Sequence, residues 1–283
     1  MAERIQKLLS RAGYGSRREI ERWVTAGDIT VNGVIATSGQ AISETDKVTL
    51  RGQVLKLANK LRARPQVLLY HKQMGEICSR NDPEGRPTVF DNLPKINSGR
   101  WIQVGRLDIN TDGLLIFTTD GELANRLMHP SYEVERVYAS RILGNVTEDI
   151  INNLKTGVML EDGIAKFTSI KFDGGDGANK WFHVSLKEGK NREVRRLWES
   201  QDLIVSRLRR ISYADITLKR SLRAGEYEDL DIKIMRKLYE KVGLDLGEDN
   251  FLSKNDYLSR KERNSKFKYG KKTPNKGKNG YRR

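Results

Sequence analysis

Apolar positions along the first sixty residues follow two periods in turn. In "RIQKLLSRAG" Ile5, Leu8, Leu9 and Ala12 share one helical face, and Gly13 is placed to end the helix. "SRREIERWVTAG" restarts the pattern, with Ser16 and Glu19 as a capping box, Ile20, Trp23 and Val24 as the apolar stripe, and Gly27 as the stop. The alternation in "DITVNGVIA" then predicts a hairpin about Asn32-Gly33, a pair that tolerates the positive φ of a two-residue turn. "LANKLRARPQ" is polar and basic and reads as a linker ending at Pro65. Beyond it "VLLYHKQMGEIC" opens on an apolar run, which predicts a buried strand. Strands and helices then mix without a regular strand–helix–strand rhythm, so the fold class is α+β. The resulting division is a module at 1–60, a linker at 61–66, a larger domain at 67–245 and a tail at 246–283.

"GRLDINTDGLLIFTTDG" reads as a hairpin whose turn, Asn110-Thr111-Asp112-Gly113, precedes the apolar arm Leu114–Phe117. Arg106 and Asp108 stand two apart just before it, a spacing that puts both on one face of a strand. They are either a solvated ion pair or the working edge of a site. "FHVSLKEGKNREVRRLWES" predicts a strand, a turn at Gly189 and a helix. At 100° per residue Val194, Leu197 and Trp198 form that helix's apolar stripe. Arg192 and Arg196 fall far from the stripe. Arg195 falls at its margin, where a half-buried guanidinium can still meet a carboxylate. A structural ion pair satisfies the same pattern.

Composition narrows the chemistry. The chain has 283 residues, 37% hydrophobic, and carries a formal +15. Residues 260–283 hold eleven Lys or Arg against one Glu, so +10 of that charge sits in the tail. Such a tail is expected to be disordered in the free protein, and the charge favours a polyanionic partner. Cys78 is the one cysteine, and His71, His129 and His183 lack metal-ligand spacing, so no metal is expected. No phosphate-binding Gly-x-x-x-x-Gly-Lys loop or Gly-x-Ser-x-Gly elbow occurs. With no secretory signal or membrane-length apolar run, a cytoplasmic protein without a membrane partner is expected.

The stretch "RIQKLLSRAGYGSRREIERWVTAGDITVNG" resembles the S4 RNA-binding domain. That resemblance implies RNA contacts, mainly to phosphates, from Arg4, Lys7 and Arg11 on the first helix and Arg17, Arg18 and Arg22 on the second. "GRLDINTDGLLIFTTDG", "VERVYASRILG" and "KEGKNREVRRLWES", in this order, resemble the three motifs of the RsuA-like pseudouridine synthases. The resemblance implies a mainly antiparallel mixed sheet with a central cleft. It makes Asp108 the catalytic aspartate, Tyr138 the ring against the target uracil and Arg195 the partner of Asp108. Arg106 is the residue that displaces the base, and Asn191, Arg192 and Arg196 bind RNA. It also implies a monomer that needs no cofactor and acts on a 23S ribosomal RNA stem-loop or a precursor particle. Another uridine of 16S or 23S RNA, or a non-catalytic S4 protein of ribosome assembly, remains the alternative. A glycoside hydrolase would need a second carboxylate, and none is evident. The chain departs from the common pattern at "HKQMG", where many relatives carry Lys-Pro, and at Asp112, where a small hydroxyl residue is common.

Overall fold

The computed structural model describes residues 2–61, 63–96, 98–175 and 177–247, the side chain of residue 59 excepted. The expected tail lies outside them from residue 248 onward. Within the N-terminal module β1 (Glu3–Arg4) leads into α1 (Ile5–Arg11), followed by α2 (Arg17–Thr25). The capping box forms: Ser16 Oγ accepts the Glu19 N–H at 3.1 Å and Glu19 Oε2 accepts the Ser16 N–H at 3.2 Å. Next come β2 (Ile29–Val31), β3 (Val34–Ile35), β4 (Ala41–Ile42), β5 (Val48–Leu50) and β6 (Gln53–Val54). The turn between β2 and β3 holds Asn32 at φ 52° and Gly33 at φ 88°, as the hairpin requires. Ile5, Leu8, Leu9, Ala12, Ile20 and Val24 are all buried in the module's core. The first half of the expected linker is helical instead. It forms α3 (Leu57–Leu61), because Leu57 reaches that same core.

The larger domain is built on a nine-stranded sheet. Its elements begin with β7 (Val67–Lys72), β8 (Ile102–Val104), β9 (Asp112–Thr118), α4 (Gly121–Met128) and β10 (Arg136–Leu143). A side layer follows: α5 (Glu148–Thr156), with the small hairpin β11 (Val158–Leu160) and β12 (Gly163–Ala165). Then come β13 (Ser169–Phe172), β14 (Asn179–Leu186), α6 (Glu193–Glu199), β15 (Ile204–Tyr213), β16 (Ile216–Thr217), β17 (Tyr227–Asp229) and α7 (Ile232–Lys241). The main order is β13-β14-β10-β15-β9-β7-β17, with β8 beside β9 and β16 beside β15. Every pairing in it is antiparallel except β15 with β9.

Both faces of the central strands are covered. Val67, Leu69, Leu114 and Ile116 pack with α4 and α7, while Leu68, Tyr70, Leu115 and Phe117 pack with Val89 and Trp101. That two-sided burial is why "VLLYHK" reads as a continuous run. A separate core joins β10, β13 and β14 to α5 and α6. Among the described residues no helix is long and apolar enough to cross a membrane.

One edge of β9 is shared. β15 takes its first residues, with Arg209 opposite Asp112 and Arg210 opposite Gly113, and β8 takes Ile116 to Thr118. Gly113 has φ 112°, and a Cβ there would lie 2.3 Å from the Arg210 carbonyl oxygen and 2.6 Å from its nitrogen. Only a residue without a side chain allows the approach. Gly113→Ala is therefore expected to destabilise the protein by about 2–3 kcal/mol, the upper range for a single substitution. Urea unfolding with an unchanged slope and a lowered midpoint would confirm it; a wild-type midpoint would show that β9 and β15 can part freely.

Candidate active site

The segment between β8 and β9, residues 105–111, leaves the sheet where that shared edge opens. Arg106 and Asp108 lie in this loop and not on a strand, so the two-residue strand period does not relate them. The strand ends at Val104 because beyond it the edge of β9 passes to β15. Arg106 is exposed, Leu107 is buried and Asp108 is half-buried. Leu107 anchors the loop in the apolar cluster that also holds Tyr138, and its N–H lies 3.4 Å from Cys78 Sγ.

The loop's carbonyls point inward and are met by cations. The Lys72 ammonium, at the end of β7 and fully buried, donates to the carbonyls of Gln73 (3.1 Å), Asp108 (3.0 Å) and Thr111 (2.8 Å). Burial pushes the Lys72 pKa down, and the nearby Cys78, Glu76, Asp112 and Asp108 oppose that shift. Arg195, on α6, donates through Nη2 to the Asn110 carbonyl (3.1 Å) and through Nη1 to the Val205 carbonyl (2.8 Å). Its Nε, buried and without a hydrogen-bond partner, faces Asp108 Oδ2 at 4.0 Å. Burial, then the neighbouring Arg192, lowers the Arg195 pKa, and Asp108 works against both. Arg195, expected half-buried at the margin of the apolar stripe, is buried and lies beside Asp108.

An open cleft of about 1440 Å³ runs past the loop, larger than the roughly 300–1,000 Å³ of small-ligand pockets. Arg106, Asp108, Tyr138, Asn191 and Arg192 line it, and Arg195 stands behind Asp108. Nine Lys or Arg and four Asp or Glu contribute to its walls, which suits a polyanion. Arg196 does not line it. Its guanidinium is tied at 2.8 Å by both Nη atoms to Asp162. In the N-terminal module Arg4, Lys7, Arg11, Arg17, Arg18 and Arg22 are all exposed or half-buried at the surface, with Lys7 and Arg11 paired to Glu3 at 3.9 and 3.1 Å. Among the described residues no group of three or more His, Cys, Asp or Glu is placed to hold a metal.

Three cations of the site are not evident from the sequence pattern. Lys72 is one; its signal is a lysine closing a strand that opens on an apolar run and is buried throughout. Arg210 is another, buried on β15 and donating through Nε to the Leu114 carbonyl (2.8 Å), on the edge of β9 between its β15 and β8 pairings. The third is Arg136, two residues before Tyr138. Its Nη1 gathers the carbonyls of Val134, Lys187 and Glu188 at 2.9, 2.7 and 3.0 Å, and so fixes the turn that leads into α6.

Comparison with known proteins gives a consistent result. Residues 66–200 match the family model described as RNA pseudouridylate synthase, and residues 3–48 match the S4 domain. Proteins named ribosomal large subunit pseudouridine synthase B align over 86% of the chain. That of Pseudomonas aeruginosa is 53% identical and is covered over 64% of its own length. That of Haemophilus influenzae is 55% identical with 68% covered, and that of Escherichia coli O157:H7 is 53% identical with 85% covered. A crystal structure of a pseudouridylate synthase, 24% identical, superposes with a TM-score of 0.58 over 83% of this chain and 99% of its own, which shows the shared fold.

Lys72→Met is expected to remove the ammonium from the carbonyls of Gln73, Asp108, Ile109 and Thr111, at about 1–3 kcal/mol for each buried group then left unsatisfied. The Thr111 amide, bonded to the Asp108 carbonyl, and the Gly75 amide, bonded to that of Ile109, should then exchange hydrogen faster than the rest of the sheet. Unchanged protection of these two amides would show that the loop holds without the ammonium.

Proposed function

The chain belongs to the RNA pseudouridylate synthase family, with an S4 domain ahead of the catalytic part, and from that premise we propose that it isomerises a uridine of large-subunit ribosomal RNA to pseudouridine. The observation that carries the reading is Asp108, held at the rim of an open basic cleft by a loop whose carbonyls are clamped from behind. A non-catalytic RNA-binding protein has no use for a carboxylate aimed where phosphates gather.

The reaction breaks the N1–C1′ bond, turns the uracil and joins C5 to C1′; the C5 proton leaves and N1 gains one. No atom is gained or lost, so no redox partner is required. Asp108 acts on the ribose, as nucleophile at C1′ or base at C2′. Arg195 faces that carboxylate at 4.0 Å and orients it. Tyr138 packs on the uracil and stands next to the C5 proton. Arg106, exposed at the cleft, holds the stack open, and Asn191 and Arg192 meet the backbone nearby. Arg196 contributes to RNA binding only if it leaves Asp162. We assign residues 1–60 to RNA docking and 67–245 to catalysis.

Asp108→Asn is expected to abolish pseudouridine formation while leaving affinity for large-subunit RNA within about tenfold, roughly 1.4 kcal/mol. Carbodiimide labelling of pseudouridine in a transcript, read by primer extension, with binding measured in parallel, tests this. Near-normal product from the variant would overturn the assignment.

Arg195→Met should lower kcat by about 100-fold or more, equivalent to roughly 2.7 kcal/mol of barrier. Arg196→Met removes an exposed ion pair worth about 0–1 kcal/mol and should change the rate only a few-fold. The reverse ranking of the two variants would exclude Arg195 as the partner of Asp108.

A further inference from the structure

Beyond the aspartate loop the cleft is lined by Arg80 and Arg100, and residue 99, next to Arg100, meets the N-terminal module. There the turn between α1 and α2 lies against residue 99. A Cβ on Gly13 would come within 2.6 Å of the Gly99 carbonyl oxygen. Arg100 follows directly, and Arg80 and Arg100 line the same cleft as Asp108. Arg80 lies over the Phe90 ring, 4.3 Å from its centre, and donates to the Trp101 carbonyl. Arg100 Nε is buried without a hydrogen-bond partner. The acidic group that acts on both is Glu19, and its Oε2 is already engaged by the Ser16 N–H in the capping box. Burial pushes both guanidinium pKa values down, and positive neighbours add to it: Arg100 at Arg80, Arg17 at Arg100.

Two partly desolvated guanidiniums that line the same cleft are costly unless an anion joins them. Guanidinium forks match phosphate oxygens in geometry, and a ring beneath one fork fixes its plane. We propose that Arg80 and Arg100 together hold one backbone phosphate of the RNA, at the junction between the N-terminal module and the cleft of Asp108. The inference rests on the reading of that cleft as the RNA site. The junction then acts as a fixed point on the protein. Because the strand is gripped between the module's basic helices and the reacting uridine, the distance between docking and chemistry is set there.

The test uses the full chain in its Asp108→Asn form and a large-subunit ribosomal RNA transcript, with binding measured across a salt series. The pair Arg80→Gln/Arg100→Gln is expected to weaken binding about tenfold and to lower the log–log salt slope by about 0.7–0.9, the value of one phosphate contact. The pair Arg80→Lys/Arg100→Lys keeps both charges and should keep the slope. Unchanged affinity and slope for the Gln pair would overturn the proposal. So would an equal loss of slope in the Lys pair, because the cause would then be packing. Pseudouridine formation by the unsubstituted chain on the same transcript tests the underlying reading separately. Its absence would remove the enzymatic assignment while the slopes still decide the phosphate site.

Discussion

The buried ammonium of Lys72 holds the aspartate loop, and the loop in turn defines everything else at the site. A chain segment that leaves a sheet must find partners for the backbone groups the sheet no longer pairs. Here the segment crosses the gap in the edge of β9, and its carbonyls turn into the protein. Lys72 meets those of Asp108 and Thr111 and Arg195 that of Asn110, while Arg210 meets that of Leu114 just beyond, in β9. Once the carbonyls are fixed inward, the Asp108 side chain has the cleft side left to occupy. Three cations on one short stretch of backbone also raise the local positive potential, and one of them, Arg195, faces the Asp108 carboxylate itself at 4.0 Å.

The same economy extends to the second and third motifs. Tyr213 lies between two guanidiniums, Arg136 and Arg210, each 4.9 Å from its ring centre. Its hydroxyl accepts from Arg136 and donates to the Leu127 carbonyl. This stack links the strand of Tyr138 to the strand that supports the aspartate loop. Through Arg136 it reaches the turn before α6, and so Arg195. The three sequence motifs are therefore parts of one cationic framework, although none of the framework's arginines needs to touch a substrate.

Local features were legible because their causes are local. The capping box, the Asn32-Gly33 turn and the amphipathic helices depend on residues a few positions apart, and the chain states them openly. Arg195 was legible for the same reason: its angle to Trp198 and Leu197 is fixed by helical geometry. The placement of Arg106 and Asp108 was not. Whether residue 105 continues a strand depends on β15, some hundred positions later, taking the edge of β9. The role of Lys72 was hidden likewise, since the carbonyls it meets lie in the next residue and in a loop more than thirty-five positions away. Leu57 misled in the opposite direction. Polar neighbours suggested a linker, but one buried leucine was enough to fold the start of it onto the module.

On the proposed reading, the openness of the cleft follows from the substrate. A uridine in structured RNA must be unstacked before its ribose can meet Asp108, at a cost of a few kcal/mol. Stacking on an aromatic ring such as Tyr138 returns about 1–3 kcal/mol, which roughly cancels that cost without a surplus. Net binding must then come from phosphates along the strand, and phosphates are spread over distances that a closed pocket cannot span. An open basic cleft with the carboxylate at its rim answers both demands. It also explains why the strongest clamps lie behind the loop and not in front of it: the wall that faces the RNA has to stay accessible, so rigidity is supplied from the sheet.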